Sequence, residues 1–438
     1  MYSKECTGMS MSEERNKRRR LSRREFLELG AAGTGLLLLA GCGGGQGGGS
    51  GTLNALFMKQ AAYSDTDVKN MTEQFQKQNP GIKVNLTFVA YEALHDKIVA
   101  AAPAGTFDTV LVDVIWPAEF ASKKMIVDIT NRFPESERSK VFAGALKTTE
   151  YEGRYYGVPW ILDTKYFFYN KKMLGEAGVS PPPDTWDGVV EAARALKSKG
   201  VVEYPLVWSW AQAEALICDY ATLLGAYGGQ FFDGGGKPTF NTGGGLQALE
   251  FMRMTLDEKL SNPASTESLE EDVRRIISQG EAAMALNWTY MFALANDPNE
   301  SQVAGQIAIS HTPKGPAGAP GVNGSMGMAI ANGSQNQDAA WKYIQFMTSQ
   351  KIQNQYAELS LPIWKSSYDA KQVVQALPQV VPVAKEQLND LILRPVVPQY
   401  NDVSHTLQVE MQQALTGDKT PKQALDDAAK AVAETQES

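Results

Sequence analysis

The residues of this chain best suited to chemistry are few, and their spacing limits what they can do. His95, His311 and His405 lie far apart and share no metal-ligand spacing with a cysteine or an acid. His95, next to Asp96 in a helical stretch, reads as part of a solvated face; His311 reads as a loop residue that approaches a cleft. No GxSxG elbow and no strand-borne GxGxxG is present, and the glycine runs lack the Lys-Ser/Thr pair of a phosphate loop. A glycoside hydrolase needs two carboxylates about 5–10 Å apart. The acids are numerous, but nothing in their spacing singles out such a pair. The pattern points away from catalysis, and neither a metal nor a cofactor is expected. Eight tryptophans remain, several at loop starts after apolar runs.

Periodicity supplies the elements that would position these groups. Leu53–Phe57 reads as a strand. Val68, Met71 and Phe75 recur at helical spacing until Asn79-Pro80-Gly81 stops the helix. Ile82, Val84, Leu86 and Phe88 alternate as in a strand, a helix spans about 92–102, and 109–114 is an apolar strand. This alternation predicts an α/β domain with a largely parallel sheet. Ligands of such sheets lie outside the carboxyl ends of the strands, where Asp113 falls. Thr185-Trp186 caps a helix running to about Lys199, Gly243-Gly244-Gly245 opens another, and 313–324 is a Pro/Gly-rich loop. No solenoid or propeller repeat occurs.

The first fifty residues have a different character. Ser22-Arg23-Arg24-Glu25-Phe26-Leu27 resembles a twin-arginine export signal, although Glu28 stands where a basic residue is usual. The apolar run Leu29–Ala40 is short of the ~20 residues a spanning helix needs. It ends in Leu39-Ala40-Gly41-Cys42, which resembles a lipobox. Residues 1–41 are thus expected to be a signal peptide and Cys42 the lipidation site, placing the protein at the outer face of a cytoplasmic membrane. The glycine-rich stretch 42–52 reads as a tether with a reach of about 16 Å. The whole chain has a formal net charge of −8; the first 41 residues hold eight Lys or Arg against five Glu, so the remainder is near −11. That balance disfavours nucleic acid and anionic surfaces as partners. Cys6 leaves with the signal. Cys218, in the apolar helical context Ala215–Asp219, reads as a small buried hydrophobe.

Five blocks, in order, resemble the extracellular solute-binding proteins of ABC importers, in their carbohydrate-binding, maltose/trehalose-like branch. They are Asp108–Phe120, Gly157–Trp186 (with Gly157-Val158-Pro159-Trp160, Tyr169-Asn170-Lys171-Lys172 and Pro183-Asp184-Thr185-Trp186), Val207–Asp219, Gln279–Trp288, and the closing segments Ala339–Pro362 and Arg394–Leu425. The resemblance implies a two-lobed periplasmic-binding-protein fold with hinge strands between the lobes and a ligand in the cleft. On that pattern 53–161 and 288–333 form the N-terminal lobe, and 162–287 and 334–438 the C-terminal lobe. Permease subunits are the implied protein partner, and a monomer is expected. ATP hydrolysis would belong to a separate subunit.

A sugar has hydroxyls that need fixed donors and acceptors, and flat C–H faces that pack on aromatic rings. The resemblance then nominates Asp113 and Trp116 at the strand end, and Asp163 at the first interlobe crossing as a hydroxyl acceptor. Trp208 and Trp210 alternate in a strand-like segment, and Trp208 is assigned to the cleft. Trp288 is the leading stacking platform, with Tyr290 beside it. Gly324, Ser325, Met326 and Gly327 match a loop that approaches the ligand, although Met326 stands where relatives often carry an aromatic. Arg394 matches an arginine that forks onto sugar oxygens. Trp186, Trp341 and Trp364 read as core or cap residues. The expected ligand is a di- or oligosaccharide or a sugar alcohol. A glycerophosphodiester held by Arg394 and Lys165 is the alternative, and a sugar-sensing lipoprotein the alternative role.

Overall fold

The computed structural model describes residues 51–59, 62–358 and 360–437. The expected signal peptide with Cys6, and the expected lipobox with Cys42, lie outside the described residues. Of the expected tether, Gly51 and Thr52 instead begin the first strand, Gly51–Met58, paired in parallel with Ile82–Val89. Leu53, Ala55 and Phe57 are buried there, so the strand's apolar alternation recruits the residues just before it.

Two sheets organise the chain. The first has the order Ile82–Val89, Gly51–Met58, Thr109–Asp113, Met326–Ile330, Val158–Ile161. Its first three strands are parallel, and Met326–Ile330 runs antiparallel to both neighbours. The second sheet has the order Ile307–Ser310, Tyr166–Asn170, Met284–Asn287, Leu206–Val207, with only the last pair parallel. The largely parallel arrangement expected from residues 53–114 therefore holds for the three strands of that region, while most other strand pairs are antiparallel.

Local signals set the helices around the sheets. Ser64 caps Asp65–Gln78: its Oγ accepts from Asp67 N at 3.1 Å, while Asp67 Oδ2 accepts from Ser64 N at 3.2 Å. Thr185 caps Trp186–Ser198 by accepting from Gly188 N at 3.0 Å. Met71 and Phe75 pack with Tyr343 and Ile344 in the core of the first lobe, where Thr72 Oγ1 and Tyr343 Oη are 2.7 Å apart. Trp186, Tyr220, Leu407 and Met411 belong to the core of the second.

Lobe membership differs from expectation in both returning segments, 288–333 and 334–438, as one strand and one helix illustrate. Strand Ile307–Ser310 pairs with Tyr166–Asn170 and so belongs to the second sheet. Helix Gln337–Met347 packs on Met326–Ile330 and on Asp65–Gln78, which puts it in the first lobe. Its apolar face, Ala340, Tyr343, Ile344 and Met347, forecasts burial, but periodicity alone does not say which sheet that face covers. Helices Tyr400–Thr416 and Pro421–Glu437 pack against Glu214–Ala226 and Gly243–Asp257 in the second lobe.

The chain crosses between the sheets at 162–165, again between Ser310 and Met326, and finally between helices Lys371–Ala376 and Tyr400–Thr416. The crossings are tied together: Thr164 bridges to Asn323, and Gly321–Val322 pairs with Leu391–Ile392. No helix among the described residues is long and apolar enough to cross a membrane.

Candidate functional site

Where the crossings meet, Asp163 forms a knot. Its buried carboxylate accepts from Thr164 N at 2.9 Å, from Thr289 N at 3.3 Å, and from the Thr289 hydroxyl. Its carbonyl accepts from Gly324 N at 3.1 Å, and its own N–H donates to Ser325 Oγ at 3.3 Å. Burial pushes the carboxyl up to about 7, against the pull of these donors. Three segments thus converge on one acid. This is the geometry of a hinge residue, so the sugar-acceptor assignment of Asp163 is corrected: Oδ1 accepts from Thr164 and Thr289, and Oδ2 shares the Thr289 N–H.

Two residues further on, Lys165 is fully buried between two acids. Its Nζ lies 3.3 Å from Asp219 Oδ1, 3.3 Å from Glu270 Oε1 and 3.1 Å from Ser209 Oγ. The same ammonium sits 4.6 Å from the centroid of the Trp288 ring, and Trp288 Nε1 donates to Glu270 Oε1 at 3.0 Å. Burial opposes the lysine's charge, but Asp219 and Glu270 outweigh it and hold the pKa above the ordinary value. Burial pushes the Asp219 carboxyl up to about 6 despite Lys165. A Cβ at 324 would lie 2.3 Å from Trp288 Cζ3, so glycine there lets the indole take this position.

Arg394 is the second buried cation. One terminal nitrogen donates to Glu214 Oε1 at 2.7 Å; the other donates to Asp113 Oδ1 and to the Asn323 carbonyl, both at 3.2 Å. Asp113 ends a strand of the first lobe and Glu214 begins a helix of the second, so this ion pair spans the lobes. Glu214 is further held by the hydroxyls of Tyr400 and Ser404. Burial pushes the Asp113 carboxyl up to about 6, with Arg394 pulling the other way. Tyr91, next to Asp113, stacks on Trp116 with centroids 5.8 Å apart and planes at 18°.

Asp113, Trp288, Gly324 and Arg394 therefore lie along the junction of the lobes. Trp116 is instead buried in the first lobe with its ring packed on Tyr91, His95 and Phe120, so its assignment to the ligand is corrected. Tyr290 is partly buried, with its hydroxyl 3.5 Å from Glu271 Oε2. Ser325 serves the Asp163 knot, and Met326 pairs in register with Asp113. Two further assignments fail. Trp208 is 1% exposed, donates its Nε1 to Ser261 Oγ at 2.7 Å, and stacks on Trp210 at 5.3 Å and 7°. Residues two apart on an extended chain share a face, so both rings enter the core together. Gly327 does not face the cleft: a Cβ there would meet Thr149 Cγ2 at 2.2 Å. His95 is also corrected from a solvated face, because its Nε2 lies 2.8 Å from Glu119 Oε2 and 2.8 Å from Asn401 Nδ2. Trp186 is buried in the core, as is the free thiol of Cys218.

Sequence reasoning missed Tyr91, Glu214, Asp219, Glu270 and Tyr400. Glu214 and Glu270 open helices, where an acid needs no purpose beyond the helix dipole. Asp219 sits in an apolar helix, and that mismatch was the one available signal. No group of His, Cys, Asp and Glu able to hold a metal ion occurs among the described residues.

Two lobes, three crossings and a charged junction define a hinged binding protein. Residues 54–354 match the family model of bacterial extracellular solute-binding proteins, and the chain belongs to that family. It is 29% identical to the maltose-bound MalE3 of T. maritima, with a TM-score of 0.81, covering 88% of this chain and 99% of that one. It is 26% identical to a solute-binding protein of Thermotoga lettingae bound to α-D-tagatose, with a TM-score of 0.79 and coverages of 88% and 99%. Among curated relatives, the arabinooligosaccharide-binding protein of Bacillus subtilis is 24% identical over 90% of this chain and 95% of its own length. The family consists of solute-binding proteins and not enzymes, and the Thermotoga lettingae relative is a solute-binding protein of an ABC transporter.

Proposed function

We propose that the chain captures a neutral carbohydrate, a di- or oligosaccharide or a sugar alcohol, between its lobes and delivers it to the permease of an ABC importer. One observation favours a neutral polyol over a glycerophosphodiester: each buried cation at the junction is already held by two carboxylates, Lys165 by Asp219 and Glu270, and Arg394 by Asp113 and Glu214. An incoming phosphate would meet net negative charge on both sides. Trp288, half-buried beside the carboxylate of Glu270, supplies an aromatic face and an acceptor of the kind that sugar rings use. The maltose and arabino-oligosaccharide named for two relatives agree with this class, and the tagatose named for a third is a neutral carbohydrate of a smaller size.

The proposal includes export, with residues 1–41 as signal and Cys42 as the lipidated anchor, and action as a monomer. A thermal-shift panel of monosaccharides, disaccharides, oligosaccharides, polyols and glycerophosphodiesters tests the ligand class. A ligand at a hundred times its dissociation constant adds about 2.7 kcal/mol, a shift of a few degrees. A hit confined to phosphodiesters overturns the neutral-sugar reading. Fatty-acid labelling that persists in Cys42→Ser overturns the anchor.

A further inference from the structure

Five buried polar atoms gather around the first crossing between the lobes and have no hydrogen-bond partner among the described residues. They are the hydroxyls of Tyr63, Tyr166, Ser360 and Tyr368 and the indole N–H of Trp160. Trp160 and Tyr166 bracket the crossing, the first on strand Val158–Ile161 and the second opening Tyr166–Asn170. Tyr63 follows the carboxyl end of strand Gly51–Met58, the side on which ligands of such sheets bind, and its ring packs on Trp160 with centroids 4.8 Å apart. Ser360 is brought in by its neighbour Leu361, which bridges to Leu162. Tyr368, on the short 3-10 helix Lys365–Asp369, meets Phe142 edge-on at 4.9 Å and lies within electrostatic reach of Tyr63, Tyr166 and Asp163. The Tyr63 hydroxyl faces Ser360 and that of Tyr166 faces Thr289, in neither case with the geometry of a hydrogen bond.

We propose that these five groups form the end of the ligand site that reads hydroxyls: Tyr63, Trp160, Tyr166, Ser360 and Tyr368 hydrogen-bond an uncharged sugar or sugar alcohol as the lobes close on it. Carbohydrate binding between the lobes, proposed above, is the premise on which this subsite rests. Buried polar side chains in folded proteins are nearly always hydrogen-bonded, because an unpartnered one has given up water without return. Five together mark a surface that hydroxyls from outside the chain complete. The chemistry on offer fits that partner. Burial pushes each tyrosine well above its ordinary pKa, so each keeps its proton and both donates and accepts, while Trp160 only donates. A sugar hydroxyl has the same double capacity. Phe57 and Tyr63 pack on the indole at 5.3 and 4.8 Å, which fixes the direction of its N–H. Acids raise the tyrosines further, Asp163 at Tyr166 and Tyr368 and Asp67 at Tyr63, and the same charges set this end of the site against an anion. Thr289, which faces Tyr166, follows Trp288, so the cluster adjoins the aromatic part of the junction.

Water and a polyol offer the same hydroxyl chemistry, and removing the tyrosine hydroxyls separates them. In the full chain, Tyr63→Phe, Tyr166→Phe and Tyr368→Phe are made singly and together. Tyr343→Phe is the control, since the Tyr343 hydroxyl lies 2.7 Å from Thr72 Oγ1 in the core of the first lobe. Maltose, D-tagatose, D-mannitol and ribitol are titrated by calorimetry, and melting temperatures are read without them. One lost hydrogen bond corresponds to a change of roughly threefold to tenfold in an equilibrium. Each single substitution is expected to weaken the compound that the wild-type chain binds by about that factor, and the triple by about thirtyfold or more. Melting temperatures without ligand should not fall, because the hydroxyls removed hold nothing in the chain. Tyr343→Phe should do the reverse, melting earlier with its affinity unchanged. Unchanged affinity in the triple variant overturns the subsite and leaves the carbohydrate reading intact, with water alone meeting these hydroxyls. Losses of affinity matched by earlier melting without ligand also overturn it, because the hydroxyls then serve the fold. If none of the four compounds binds the wild-type chain, the carbohydrate reading falls and the subsite with it.

Discussion

Lys165 and Arg394 are both buried cations between two carboxylates, yet they are built differently. The partners of Lys165 all lie in the second lobe, on Ser209, Asp219 and Glu270, so that group is complete whether or not the lobes meet. Arg394 needs Asp113 from the first lobe and Glu214 from the second. The first is a wall of the site, assembled during folding. The second is a clasp, assembled on closing. The same pairing chemistry therefore answers to fold stability in one place and to ligand affinity in the other.

The largest effect should come from removing the wall's cation. Lys165→Met leaves Asp219 and Glu270 facing each other without their counter-charge, one of them fully buried, and should cost on the order of 3–5 kcal/mol of stability. Urea denaturation checks it, and an unchanged midpoint would mean that the buried acids simply take up protons. Arg394→Ala should divide differently. Its partners reach solvent when the lobes part, so stability falls by less than for Lys165→Met, while sugar affinity falls about 30-fold, on the order of 2 kcal/mol. Equal stability losses for the two substitutions would erase the distinction between wall and clasp.

Gly324→Ala probes how the wall presents its aromatic face. The new methyl would sit 2.3–2.4 Å from Trp288 Cζ3 and Cη2, so the indole must move off Glu270 or the backbone must shift. Overpacking of this kind costs about 1–3 kcal/mol. Isothermal titration should show a loss of sugar affinity near tenfold, with the quench of tryptophan fluorescence on binding reduced. Unchanged affinity would remove Trp288 from the ligand surface.

Why the sequence reveals some of this and not the rest follows from the range of each signal. Strand and helix periods are local, so Leu53, Met71, Phe75 and Val84 announce their elements unaided. The order in which strands join a sheet is not local, which is why 307–310 and 337–347 change lobes relative to expectation. Trp288 and Arg394 fall in blocks that match a known family. Glu270 does not stand out, because an acid at a helix start is ordinary, and Asp219, though out of place in an apolar helix, is recognisable as a partner only once Lys165 is seen beside it. Trp208 misled for a geometric reason: spacing of two sets both tryptophans on one face, and only the neighbouring Ser261 and Trp186 decide that the face is the core.

The smallest expected effect separates the two acids that burial perturbs most alike. The Asp113 and Asp219 carboxyls are each pushed up to about 6, above the ordinary value of 3.8. The folded chain therefore holds these protons at a pH where the unfolded chain has released them. Their contribution to stability is greatest below about pH 4 and declines as pH rises toward 6. In the ligand-free protein, however, opening of the lobes exposes Asp113 and returns its carboxyl toward the ordinary range, while Asp219 stays sealed beside Lys165. Melting temperatures measured from pH 4 to pH 7 without ligand should thus lose more of their slope in Asp219→Asn than in Asp113→Asn. With saturating sugar the lobes are held together and the two substitutions should flatten the slope equally. Equal flattening without ligand would mean that the clasp is shut before any sugar arrives, and that Arg394 stabilises the resting fold as Lys165 does.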